Sequence, residues 1–323
     1  LQWFEAETAM KPEMRIRDYY AGKHILVSGA TGLMGKALVE KLLRSCPGVS
    51  KIYVIVRPKK GVAPEERWKK TMDGPLFTYL RETHPESLEK CQVLPGESSA
   101  DNFGLSKEHI QMIEENVNII YHVAASISFE DDLVAAIKFN LKPTHTLLEL
   151  ARRTKKLECF VHVSTAFSNM NRKGLVEEKV YKSHLGWREL LDLAEDPNNF
   201  ELLCALQPKV LNGHLSTYTL TKGLAEDAVY EYRDHFPIVI NRPAIVLGAF
   251  KDPRPGWMDV DNILSLFGKG WRMGVLRVML YEDTHELQQV PLDLPIKALI
   301  VAPWKKYVQA QRDVEVHCCR LDY

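Results

Sequence analysis

Short, continuously apolar runs alternate along this chain with longer stretches in which apolar residues recur every three to four positions. The first run is HILVSG (His24–Gly29), closed by glycine. In the segment after it Leu33, Ala37, Leu38, Leu42 and Leu43 fall on one helical face. KIYVIV (Lys51–Val56) is a β-branched run of the kind buried on both sides of a parallel sheet. A charged, helix-like region (Ala63–Lys90) leads to CQVLPG and a further segment around Leu105–Glu115. Then come the strand NIIYHVAA (Asn118–Ala125), the helical VAAIKFNLKPTHTLLELARRT, and the strand FVHVSTAFS (Phe160–Ser168). The stretch Met170–Leu215 is variable in character. Residues Tyr218–His235 read as a helix, and PIVINRPAIVLG (Pro237–Gly248) as a strand with its exit loop.

Strand and helix signals thus alternate from His24 to Gly248. That order predicts an α/β fold, a doubly wound parallel sheet of the Rossmann type. Residues 1–22 form a polar lead-in and 23–248 the nucleotide-binding domain. Beyond Gly248 the chain turns rich in Gly, Pro and Trp, which predicts a smaller substrate lobe over 249–323, joined by parts of 170–215.

Length and charge narrow the class. A chain of 323 residues, 46% hydrophobic, buries a large core without a staple. Forty-two basic residues balance forty-two acidic ones, which gives no basic excess for a nucleic-acid binder. The six cysteines include no CxxC pair, and no HExxH motif is present, so no metal is expected; reduced thiols fit a cytosol-facing protein. No uninterrupted apolar stretch is long enough for a membrane helix.

The candidate chemistry begins at the first strand. Gly29-Ala30-Thr31-Gly32-Leu33-Met34-Gly35 places three glycines where a strand turns into a helix. A dinucleotide pyrophosphate needs such a turn, with backbone close enough to touch and a helix N-terminus facing the charge. Gly29, Thr31, Gly32, Leu33, Met34 and Gly35 are the candidate cofactor residues there. Ala124 and Ala125, after the fourth strand, are small enough to let the adenosine half lie close. The second strand ends Val56-Arg57-Pro58-Lys59-Lys60, without the acid that an NAD site uses for the ribose. Arg57 suits a 2′-phosphate, so NADPH is the expected cofactor.

Tyr218 and Lys222 stand four apart, on one face of a helix. A phenol with a free pKa near ~10 is a weak acid, and a neighbouring ammonium stabilises the phenolate it leaves. Tyr19 and Lys23 repeat the spacing but straddle Ala21-Gly22 ahead of the first strand, so that pair is read as a decoy. Ser164 and Thr165 lie at the carboxyl end of the fifth strand, where a hydroxyl meets a ligand carbonyl. Thr165 is the preferred catalytic hydroxyl, with Ser164 as support or substitute. Asn140 suits a backbone kink, a water or plain solvent. His122 and His162 are expected as buried structural residues, and Glu130-Asp131-Asp132 as a solvated helix start.

With these residues in place the chain resembles the extended short-chain dehydrogenases. More closely, it is similar to the reductase domain of fatty acyl-CoA reductases, the male-sterility family. The resemblance rests on GKHILVSGATGLMGKALVEKLLRSCP, KIYVIVRPKKG, HVSTAFSN, YTLTKGLAE and NRPAIVLGAFKDPRPGW, which appear in that order. It implies that NADPH reduces a long-chain fatty acyl-CoA to a fatty alcohol through the aldehyde, with release of coenzyme A. Thr165 and Tyr218 would hold the oxyanion, and Lys222 would tune Tyr218 and bind ribose. It also implies a further C-terminal domain beyond Tyr323 and, through it, attachment to a peroxisomal or endoplasmic-reticulum membrane. Three stretches depart from the family pattern: Gly96-Glu97-Ser98-Ser99 replaces a Gly-Asp that holds adenine, Ser128 replaces a basic residue, and GKGWRMGVLR differs from the usual glycine-rich spacing. Two other readings stay open, an extended dehydrogenase or epimerase acting on a sterol or sugar nucleotide, and a catalytically idle NADPH-binding protein. Acyl chain length, the stopping point of the reduction and the oligomeric state are not fixed by the sequence.

Overall fold

The computed structural model describes residues 14–259, 263–280, 282, 287–311 and 313–320. Most of the expected lead-in and parts of the expected lobe lie outside them. Seven strands form one parallel sheet: β1 (His24–Ser28), β2 (Lys51–Val56), β3 (Cys91–Pro95), β4 (Ile119–His122), β5 (Cys159–Val163), β6 (Ile238–Pro243) and β9 (Glu315–Cys319). Their order is β3-β2-β1-β4-β5-β6-β9, with a two-stranded parallel pair, β7 (Ile245–Leu247) and β8 (Gln289–Pro291), beside them. Chain order reverses between β1 and β4, and it is at such a switch point that open α/β sheets bind nucleotides. The fold class is that of a doubly wound Rossmann-type sheet.

Burial explains why the strand sequences are apolar without alternation. β4, β5 and β6 are buried along their whole length, with one hydrophobic cluster on each face of the sheet. The helix Leu33–Ser45 buries Ala37, Leu38, Leu42 and Leu43, the stripe visible in the sequence.

Three segments differ from expectation for local reasons. Ala63–Lys90 is broken by Gly74-Pro75 and Pro85 into short helices, Pro64–Met72 and Thr78–Thr83 among them. The helical run after β4 contains a π-turn at Ile137–Leu141, just ahead of Pro143, whose ring has no N–H for the regular ladder. The stretch Met170–Leu215 holds two helices, Trp187–Glu195 and Phe200–Leu211.

The expected division at Gly248 does not persist to the chain's end. β9 pairs with β6 in register from Val239↔Glu315 to Pro243↔Cys319. The helix Asp293–Val308 buries Ile296, Leu299 and Ile300 in the same core as β1. The reason is that Val316 and this helix cover sheet that would otherwise meet water. Of the described residues between Gly248 and β8, Ala249 and Trp257 join the core, while Leu266, Trp271, Met273, Val275, Val278 and Leu280 stand exposed.

Early and late segments are tied together. The Trp304 indole donates to the Met14 carbonyl at 2.7 Å, and the Tyr20 hydroxyl to the Ile300 carbonyl at 2.8 Å. Tyr20 and Tyr121 share a buried hydroxyl contact of 2.7 Å.

Candidate active site

The glycine loop is tight because two of its glycines face backbone. Gly29 has φ +74°, and a Cβ on it would lie 2.6 Å from the Ala124 amide nitrogen. A Cβ on Gly35 would lie 2.2 Å from the Gly29 carbonyl oxygen. Gly32 is the N-cap of the helix Leu33–Ser45, so Thr31, Leu33 and Met34 flank its open N–H groups. Ala124 and Ala125 follow β4 on the adjacent strand end. A dinucleotide fits this cradle, in which the absence of side chains leaves backbone bare at a helix start.

Beyond the loop lies a cleft of about 400 Å³ whose wall includes Thr31, Lys36, Lys59, Lys60, Arg67 and Lys70. A tight turn, with Lys60 and Gly61 at positive φ and Lys59 bridged to Val62, presents the two lysines. Arg57 stands at the end of β2, exposed, with Glu97 3.9 Å from its guanidinium. Arg67 donates to the Arg57 carbonyl from the next helix. Lys36 is paired with Asp259. Sequence reading singled out Arg57 and passed over Lys36, Arg67 and Lys70, which line this cleft and whose helical spacing looks like an ordinary solvated face.

The second half of the site forms at the carboxyl end of β5. Ser216 caps the helix Thr217–Glu231 through a capping box with Thr219, fixing where that helix starts. Its first turns carry Tyr218 and Lys222. Lys222, buried, donates to the Val163 carbonyl at 2.7 Å, two residues from Thr165. The Thr165 hydroxyl lies close enough to Tyr218 to influence its phenol, and the Tyr218 ring meets Phe129 edge-on with centroids 5.8 Å apart. Thr165, Tyr218 and Lys222 therefore converge. Burial pushes the Tyr218 phenol up, opposed by the Thr165 hydrogen bond. Burial also pushes Lys222 down to about 8, opposed by the Glu226 carboxylate. The expectation was that the ammonium would lower the phenol; the Lys222 ammonium sits on the Val163 carbonyl, and the net push on the phenol is upward, from burial.

Ser164 is turned elsewhere. Its hydroxyl donates to Glu226 at 2.5 Å, and Ser168 donates to the same oxygen at 2.9 Å. Arg242, from β6, donates to both Glu226 oxygens in a fully buried ion pair. Nothing in the sequence marked this pair.

A buried chain of polar groups joins the two halves. Ser28, at the end of β1, meets His122 Nδ1 at 2.7 Å, and His122 Nε2 meets Thr144 at 2.9 Å. Thr144 donates to the Asn140 carbonyl at 2.7 Å. Asn140, in the π-turn, accepts from Ser126 N–H at 2.8 Å and donates to Thr221 at 3.1 Å. Of its open roles, Asn140 thus takes the kink and links the β4 exit loop to the Tyr218 helix. Burial holds His122 at about 3 and His162 well below the usual range, so both are neutral. The Tyr19–Lys23 pair sits ahead of β1, with Tyr19 in the core and Lys23 on Glu158. Asp132 caps the helix Leu133–Ala136, and Asp131 accepts from Ser126 at 2.6 Å. Among the described residues no cluster of His, Cys, Asp and Glu is arranged to hold a metal, and no helix is long and apolar enough to cross a membrane.

A family model described as male sterility protein matches residues 27–299. Fatty acyl-CoA reductase 1 of Homo sapiens is 37% identical over 304 residues, covering 94% of this chain and 59% of the relative. A putative fatty acyl-CoA reductase of Drosophila melanogaster is 35% identical over 312 residues, covering 96% and 57%. The chain thus spans about three fifths of the length of these relatives. Among solved structures, the terminal R domain of the myxalamid PKS-NRPS pathway aligns with TM-score 0.66 and 23% identity over 88% of this chain and 63% of that one. The reductase domain of a nonribosomal peptide synthetase from Mycobacterium tuberculosis aligns with TM-score 0.66 and 19% identity over 98% and 70%.

Proposed function

Because the chain belongs to the male sterility protein family and carries its nicotinamide-nucleotide-binding domain, we propose that it reduces a long-chain fatty acyl-CoA to the fatty alcohol, with NADPH as reductant. The observation that carries this reading is the meeting of Thr165, Tyr218 and Lys222 at the carboxyl end of β5. The glycine loop would hold the pyrophosphate of NADPH, which when bound would supply hydride for the thioester carbonyl carbon. The Thr165 and Tyr218 hydroxyls donate to the oxygen as it gains negative charge. Tyr218, held protonated by its burial, gives its proton only to an oxygen as basic as an alkoxide. Lys222 would keep a positive charge beside the pair and hold ribose hydroxyls. Breaking of the carbon–sulfur bond of the protonated adduct would release coenzyme A and the aldehyde, and a second molecule of NADPH with a second proton from Tyr218 would take the aldehyde to the alcohol. Ser164 is left out of the oxyanion pair, since its proton goes to Glu226. NADPH over NADH is supported by Arg57 and Arg67 with the lysines beside them.

The test is product analysis with palmitoyl-CoA and either NADPH or NADH. Hexadecanol from NADPH is expected, and Tyr218→Phe should lower kcat by about 10²–10⁴. Undiminished alcohol formation by Tyr218→Phe would refute the assignment of the proton donor.

A further inference from the structure

The proposed reaction brings two polyanions to a chain with no net charge, so the cations that receive them must be gathered locally. The basic cleft beside the glycine loop lies with the cofactor. A second cleft, of about 260 Å³, opens between the segment following β5 and the Tyr218 helix. Its wall carries Asn169, Arg172, Lys182, His184 and His214, and no carboxylate. Arg172 lies 4.3 Å from the centre of the Tyr181 ring and donates to the Lys182 carbonyl at 3.5 Å; Lys182 acts at longer range on the Asp227 and Glu231 carboxylates, and among the described residues neither cation has a carboxylate within 4 Å. His214 has its Nδ1 buried without a partner. Such a set, with permanent cations at the rim and neutral donors deeper, is what a phosphate group needs.

The cleft shares both walls with the reaction centre. Ser168 N–H donates to the Thr165 carbonyl at 3.2 Å, so the wall begins one turn beyond the catalytic threonine. Leu220 and Gly223 come from the Tyr218 helix. A Cβ on Gly223 would lie 2.9 Å from the Ser168 carbonyl oxygen, so glycine is what allows loop and helix to close up there.

We propose that this cleft receives the phosphates of the coenzyme A portion of the substrate, while the pantetheine arm runs past the Ser168 turn to Thr165 and Tyr218. The proposal rests on the acyl-CoA reading. Its test compares palmitoyl-CoA with S-palmitoyl-pantetheine, which keeps the thioester and the acyl chain but has no phosphate, at saturating NADPH. Arg172 and Lys182 are both exposed, so replacing them leaves the core untouched. In the double variant Arg172→Ala, Lys182→Ala, KM for palmitoyl-CoA should rise about tenfold or more. The same variant should handle the pantetheine thioester as the unaltered protein does. Adenosine 3′,5′-bisphosphate should compete with palmitoyl-CoA and inhibit the variant about tenfold more weakly. Equal losses on both thioesters, or no loss on either, overturn the proposal. Should neither thioester be reduced, the acyl-CoA reading itself fails. Calorimetric titration of adenosine 3′,5′-bisphosphate into the NADPH-loaded protein then judges the cleft alone. Binding that disappears in the double variant upholds an anion subsite; binding that persists overturns it.

Discussion

Glu226 illustrates how much of a reaction centre is set by a residue that never touches substrate. It stands four residues beyond Lys222, accepts from Ser164, Ser168 and Arg242, and its charge supports the Lys222 ammonium against burial. Lys222 is pushed down to about 8, so its charge is present below that pH and is lost as pH rises through it. The groups that bear on this charge are Glu226, which favours it, and His122 and His162, which are neutral. Accordingly kcat should fall above about pH 8, and a profile flat to pH 9.5 would count against Lys222. Glu226→Gln should move that limb to lower pH and, by leaving Arg242 buried without its partner, destabilise the fold by about 3–5 kcal/mol. Ser164→Ala should keep kcat within a few-fold, where Thr165→Ala should not; the reverse ranking would exchange their roles. Thr165, Tyr218 and Lys222 were legible because their chemistry depends on order along the chain, hydroxyl at a strand end and then a helix. Glu226 and Arg242 were not, because a Glu four places after a Lys and an Arg inside INRPA look ordinary until β6 lies beside the helix.

Elements succeed or fail as sequence signals by the reach of the contacts that make them. The glycine loop is local: β1, the turn and the helix Leu33–Ser45 occupy 22 consecutive residues, and each glycine meets atoms of the loop or of the next strand over. Gly35→Ala must push its Cβ off the Gly29 carbonyl, so NADPH binding, followed by cofactor fluorescence, should be lost. Affinity within a few-fold of the original would refute the cradle. At the far end of the cofactor, Arg57→Ala and Arg67→Ala should each weaken NADPH by about tenfold or more while leaving NADH nearly unchanged. A parallel loss for both would place these arginines away from the 2′-phosphate. The helix Trp187–Glu195 was missed for another reason: Trp187, Leu190, Leu191 and Ala194 do fall at helical spacing, but over only nine residues inside a stretch of otherwise mixed character.

At the scale of the whole molecule, the sheet was predictable and its last strand was not. EVHCC (Glu315–Cys319) is short and mixed in character, and only pairing with β6 makes it a strand. The two-part division failed there because a change of composition at Gly248 marks an excursion, not a boundary. The chain leaves the layers and comes back. Removing residues 313–323 should uncover the β6 edge and lower the melting temperature by about 5 °C or more. A truncated protein that melts with the intact one would show β9 to be dispensable.

The ties between Tyr20 and Ile300, and between Met14 and Trp304, have a consequence for biogenesis. Tyr20 and its carbonyl partner are 280 residues apart, which at about 5–20 residues per second separates their emergence from the ribosome by roughly a quarter of a minute to a minute. Throughout that interval the first strand and its aromatic neighbours wait uncapped. The newborn polypeptide must then be sheltered by its own partial layers or by cellular folding assistants until translation delivers the other half of the clasp.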